Sequence, residues 1–183
     1  MTGRDFFVKE LPVQTVGCEV GVWEGGMAAA MLEVANPTKL ILVDPWVWDL
    51  DGLTTDIYLP RRTPGGQHGM DKIYKTVCAR FEEDKRVEIM RLRSVEAAKL
   101  IPDDHLDWIY IDGAHNYENV KADFQAWKHK VKVGGLLCGD DYTWGAKYGH
   151  PVKKAVHEFL DTEDFEKVLI NELYNKIILK RLS

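Results

Sequence analysis

The sequence predicts an α/β protein built on a mostly parallel sheet, and three stretches carry the prediction. Residues 106–117, LDWIYIDGAHNY, and residues 134–144, GGLLCGDDYTW, each run through apolar and aromatic positions and then stop on an acid. Runs of this kind, with little polar alternation, belong to strands covered on both faces. Residues 15–26 pass from an apolar run into the glycine-rich turn Gly21-Val22-Trp23-Glu24-Gly25-Gly26. An alanine-rich helical segment follows over 26–35 and is closed by Asn36-Pro37.

The remaining elements follow in order. KLILV at 39–43 reads as the second strand, ending on Asp44. Residues 46–69 form a long irregular stretch carrying Trp46, Trp48, Tyr58, Arg61 and Arg62. A stretch of that length inside a compact domain reads as a lid or binding loop. Met70, Ile73, Val77 and Phe81 recur at helical spacing and predict a helix over 71–83. A third strand is expected at 86–92, with Ser94 capping a short helix over 95–100. The fourth strand covers 107–111, and Tyr117, Val120, Phe124, Trp127 and Val131 then form a helical stripe. On that helix Lys121, Lys128, Lys130 and Lys132 read as the solvated face, and Gly134-Gly135 as its stop. A strand ending at Asp140 and a helix over 152–160 come next. Residues 166–173 and 176–182 finish the chain as two strands joined by a tight hairpin at Tyr174-Asn175.

The chain has 183 residues, of which 45% are hydrophobic, and a formal net charge of −5. One domain spanning 1–183, with 1–14 as an N-terminal arm, is the expectation. The acidic balance disfavours a nucleic-acid or membrane-surface binder. Cys18, Cys78 and Cys138 are widely spaced and lie mostly in apolar runs, the usage of a reduced cytoplasmic protein. No signal-like or membrane-spanning apolar run is apparent.

Ligands of open α/β sheets bind beyond the carboxyl ends of the strands. Asp112, Asp140 and Asp141 are placed there, with His115 just past the first. Gathered carboxylates repel one another and either rise in pKa or recruit a cation, and all-oxygen ligands favour Mg²⁺ or another hard divalent ion. The alternative makes Asp140-Asp141 a turn and Asp112 a local cap. The glycine loop at 21–26 would let a ligand approach the backbone, and Asp44 could receive the two hydroxyls of a ribose. The spacing is not the dinucleotide GxGxxG, which disfavours a nicotinamide cofactor.

Three motifs, EVGVWEGG at 19–26, YIDGAHNY at 110–117 and GGLLCGDDY at 134–142, carry a resemblance. The chain resembles the class I S-adenosylmethionine-dependent methyltransferases. Within them it is similar to the metal-dependent sugar O-methyltransferases of the macrocin and mycinamicin type. The resemblance implies a Rossmann-like, mostly parallel seven-stranded sheet with a C-terminal antiparallel hairpin and helices on both faces. It implies S-adenosylmethionine bound by Glu19, Gly21, Trp23, Gly25, Gly26, Asp44, Ser94 and Asp112, with Ser94 near adenine. It implies Mg²⁺ held by Asp112, Asp140 and Asp141, with His115 as the catalytic base. The implied partner is a small-molecule acceptor, a sugar or glycoside, and a homo-oligomer fits the same resemblance. Asp44 is followed by Pro45-Trp46 where the family commonly has a serine, which leaves the acceptor open. A catechol-like or polyketide hydroxyl, or a non-catalytic cofactor-binding protein of the same fold, are the alternatives.

Overall fold

A computed structural model describes residues 6–48 and 65–183. The strands are β1 (Val16–Val20), β2 (Lys39–Val43), β3 (Val87–Met90), β4 (Leu106–Ile111), β5 (Val131–Gly139), β6 (Phe165–Asn171) and β7 (Lys176–Arg181). The helices are α1 (Gly26–Val34), α2 (Gly66–Phe81), α3 (Ser94–Ala98), α4 (Tyr117–Trp127) and α5 (Pro151–Thr162). All seven strands join one sheet in the order β3-β2-β1-β4-β5-β7-β6. The first five are parallel, and β7 inserts antiparallel between β5 and β6. This is the Rossmann-like architecture with a terminal hairpin that the resemblance implied.

Period-two alternation explains why the central strands look apolar throughout. Cys18, Ile41, Ile109 and Leu137 feed one core, which α3, α4 and α5 cover with Ala97, Phe124, Trp127 and Phe159. Leu40, Leu42, Trp108, Tyr110 and Cys138 feed the other, which α1, α2 and the N-terminal arm cover with Met31, Val77, Phe81 and Phe7. Each large apolar side chain so buried stabilises the fold by about 1.5–3 kcal/mol relative to exposure. Before β1, the Phe7 ring lies 4.6 Å from that of Tyr110.

Two glycines are dictated by close approach. The Trp108 indole lies across Gly17, where a β-carbon would meet it at 2.0 Å, and its N–H donates to Thr15 Oγ1 at 3.0 Å. Gly21 has φ +91, and a β-carbon there would lie 2.0 Å from the Asp112 carbonyl oxygen.

Several local expectations are corrected. Helix α2 begins at Gly66, so the last residues of the expected lid belong to it. Residues 49–64 of that lid, including Tyr58, Arg61 and Arg62, lie outside the described residues. Trp46, at its root, is fully buried in the second core. Gly134-Gly135 lies within β5, at a register shift against β4, so it is a bulge and not a helix stop. Helix α3 starts at Ser94, and Arg93 occupies the N-cap position without a side-chain cap bond. The hairpin loop is 172–175, longer than the tight turn expected. Lys128 and Lys130 are largely covered, paired with Glu163 and Asp103. Lysine stems lie along apolar surface readily, which periodicity cannot reveal. Among the described residues, no helix is long and apolar enough to cross a membrane.

Gly21→Ala should lower unfolding stability by at least about 2 kcal/mol in chemical denaturation, through left-handed strain plus overpacking. Gly134 also has positive φ, but nothing lies near its missing β-carbon. Gly134→Ala should therefore cost only about 1 kcal/mol.

Candidate active site

The site is built on the C-terminal edge of the parallel strands. Four of the five parallel strands, β1, β2, β4 and β5, are extended one residue by an amide that donates to the last carbonyl of a neighbour. Asp44 N donates to Met90 O (3.2 Å), Gly21 N to Val43 O (2.9 Å), Asp112 N to Val20 O (2.7 Å) and Asp140 N to Ile111 O (3.1 Å). The acids are therefore set by the ladder itself and not by flexible loops.

Asp44 anchors the glycine loop. Its Oδ2 accepts from Trp23 N at 2.9 Å and its Oδ1 from Trp46 N at 2.7 Å. The Trp46 indole N–H donates in turn to Trp23 O at 3.0 Å. Trp23 and Trp46 both adopt positive φ, 53 and 43, where a bulky residue is strained. The carboxylate holds this loop in place. Burial raises the Asp44 pKa, and the backbone N–H groups and Arg91 only partly offset that. A carboxylate has about four acceptor positions, and the Trp23, Trp46 and Val22 amides take up most of them. Gly25, also left-handed, closes the turn with its N–H on Val22 O at 2.9 Å, and Gly26 opens α1. Glu19 is 1% exposed, on the Tyr110 side of β1.

Asp112, His115 and Asp141 form one cluster, offering ligand atoms within 4.8 Å of one another. His115 Nε2 lies 3.4 Å from Asp112 Oδ1 and 2.8 Å from Asp141 Oδ2. Asn116 caps α4 by accepting from Asn119 N at 2.9 Å, which fixes where the 112–116 turn ends. Asp141 has φ 55, a strained conformation that aims its side chain at His115. Burial alone would depress the His115 pKa, but hydrogen bonds and charge from both aspartates raise it to about 10. Burial raises Asp112 to about 6, with further upward pressure from Asp140 and Asp141 against the His115 contact. For Asp141 burial is outweighed by His115 and Lys176, and its pKa is lowered.

The three acids expected to converge do not all do so. Asp140 turns away, accepting from the Tyr110 hydroxyl at 2.6 Å and pairing with the Lys176 ammonium. Burial, followed by the neighbouring carboxylates, pushes the Tyr110 phenol well above its usual range, so it remains a donor. Ser94 is also engaged elsewhere. Its hydroxyl accepts from Trp127 Nε1 at 2.9 Å, and it hydrogen-bonds Asp123, whose pKa burial raises to about 6.

Lys176 and Trp144 are the residues sequence reasoning missed. Lys176 lies 36 positions from Asp140 and reaches it only through the antiparallel register that pairs Gly139 with Ile177. Trp144 lies three residues after Asp141, near enough in sequence to serve as a signal. Its ring lies tilted with its centroid 5.6 Å from that of His115, with Tyr148 5.8 Å beyond, making an aromatic wall beside the cluster.

Residues 18–142 match the family model described as a methyltransferase domain. The uncharacterized protein y4gI of Sinorhizobium fredii is 29% identical over 93 residues, covering 49% of this chain and 10% of that protein. The chain thus spans about a tenth of the length of the curated relative it matches. The O-methyltransferase NovP superposes with a TM-score of 0.63 at 21% identity, over 93% of this chain and 73% of that one. SMU.1697c from Streptococcus mutans, in complex with SAH, gives 0.61 at 12% identity, over 98% and 96%. At these identities the two structures share the fold.

The His115 pKa has a defined consequence for stability. The folded value lies above the unfolded one, so the imidazolium contributes stability fully below about pH 6.5. That contribution is lost as pH rises toward the folded value of about 10. In chelator, wild type should be more stable than His115→Gln at pH 6, and the gap should close toward pH 10. A gap independent of pH in urea titrations would refute the pairing.

Proposed function

The chain belongs to the methyltransferase-domain family, and from that premise we propose an S-adenosylmethionine-dependent O-methyltransferase assisted by a divalent cation. The acceptor would be a hydroxyl on a sugar or glycosylated small molecule. The observation that carries the reading is the Asp112–His115–Asp141 cluster standing at the strand ends beside the Gly21 turn.

The cofactor would lie over the 21–26 turn, whose left-handed Gly21 and Gly25 and helix-opening Gly26 would present main chain to it. Glu19 and Trp23 would border its methionine end, Asp44 would accept from its ribose, and Ser94 and Asp112 would flank it further. The donor set suits Mg²⁺, because Asp112 and Asp141 offer hard oxygens, with Asp140 next to them. When bound, such an ion supplies Lewis-acid polarisation of a hydroxyl oxygen.

The chain's own groups do the rest. Asp112 and Asp141 keep His115 close to where the acceptor hydroxyl would enter. While both carboxylates hold it as the imidazolium, His115 cannot accept a proton. With their charge engaged elsewhere, the imidazole loses what raises its pKa and becomes a neutral acceptor at Nε2. The hydroxyl oxygen then forms its bond to the methyl carbon as the carbon–sulfur bond breaks, and the proton passes to His115. General-base help of this kind contributes about 10²–10⁴-fold. Trp144 offers an apolar face for the acceptor ring, and that face suits a sugar or a flat phenol alike.

The test is methyl transfer from S-adenosylmethionine to a panel of glycosides and catechols. Activity should vanish in chelator and return with Mg²⁺, while S-adenosylhomocysteine binding by calorimetry persists. Asp112→Asn should cut turnover at least about 100-fold. Full activity after exhaustive chelation would remove the cation, and preference for catechols would replace the sugar acceptor.

A further inference from the structure

Asp140 and Asp141 are consecutive, yet two different cations hold them. Asp141 belongs to His115 at 2.8 Å. Asp140 belongs to Lys176, whose ammonium also donates to the Tyr110 hydroxyl at 2.7 Å. The Lys176 side chain is 6% exposed, flanked by the Phe7 ring at 5.8 Å and the Tyr110 ring at 5.1 Å. An ammonium so enclosed has few alternatives to the carboxylate beside it. Stripping a buried pair of one partner leaves an uncompensated charge.

We propose that Lys176 is a positioning residue that holds Asp140 away from the Asp112–His115–Asp141 cluster and so weakens that cluster's affinity for a divalent cation. The inference rests on the cation reading of the preceding subsection. Affinity at oxygen sites grows with the number of anionic ligands. A third carboxylate one residue from Asp141 is the obvious addition, and Lys176 withholds it. The arrangement has a use: without Lys176 three acids would crowd one crevice and repel one another whenever the cation was absent.

The experiment is Mn²⁺ titration of the full chain, followed by electron paramagnetic resonance and calorimetry, with thermal melts to verify folding. Lys176→Met should bind Mn²⁺ at least about tenfold more tightly than wild type. Lys176→Arg, which keeps the charge, should bind as wild type does. In an Asp140→Asn background the Lys176→Met gain should shrink below about threefold, because the carboxylate it would release is gone. An unchanged or weakened affinity in Lys176→Met, or a gain undiminished by Asp140→Asn, overturns the proposal. Should Lys176→Met fail to fold, Asp140→Asn alone decides. A loss under about threefold supports the proposal, and one over about tenfold makes Asp140 a ligand already and overturns it. Mn²⁺ binding by wild type together with either contrary result leaves the cation reading standing and rejects only the role of Lys176. Binding by none of the variants and not by wild type rejects both.

Discussion

The site depends on a row of main-chain hydrogen bonds that run one residue past the strands. The amides of Asp44, Gly21, Asp112 and Asp140 close the parallel ladder on Met90, Val43, Val20 and Ile111. These bonds are nearly sequence-independent, yet they decide which residue stands at each strand end. Gly21 is the tightest place in the row, because Asp112 carbonyl oxygen occupies the space a side chain would need. The same crowding brings the glycine turn against the acid that follows β4. The turn and the cluster therefore share one rigid seam, and side-chain chemistry is layered onto backbone that is already fixed.

Charge is the second constraint. Two unit charges about 4 Å apart interact by about 4 kcal/mol near a protein surface. Glu19, Asp112, Asp140 and Asp141 would be untenable together without countermeasures. The chain answers locally: His115 bridges Asp112 and Asp141, while Lys176 and the Tyr110 phenol hold Asp140. Each countercharge comes from a different element, which ties β4, β5 and β7 together through their polar groups as well as their apolar ones. Asp44 is treated differently, with backbone amides as its direct hydrogen-bond donors and Arg91 acting through charge.

Much of this was legible in the sequence. Buried parallel strands advertise themselves as apolar runs, and an acid that ends such a run stands at the ligand-binding edge. That reasoning located Asp44, Asp112, Asp140, Asp141 and His115. It failed where contacts are set by distant register. Lys176 looks like any strand residue until antiparallel pairing brings it to Asp140. Trp46 follows a proline after an acid and reads as loop, although its backbone turns left-handed and drops the indole into the core. Gly134-Gly135 reads as a helix stop because a bulge in β5 has no periodicity of its own. Side-chain direction is the common gap, since motifs give positions along the chain but not which neighbour wins a carboxylate.

The position of β7 bears on how the protein is made. It is the last of the seven strands to be synthesised, yet it lies inside the sheet, between β5 and β6. Until it emerges, β5 presents a free edge, and such edges invite pairing with other chains. Asp140 lacks its ammonium partner over the same interval. On the ribosome, the nascent chain would hold a nearly finished parallel sheet with one open flank and an unbalanced acidic rim. Docking of a single late strand closes both at once, so sheet completion and charge neutralisation become one cooperative event.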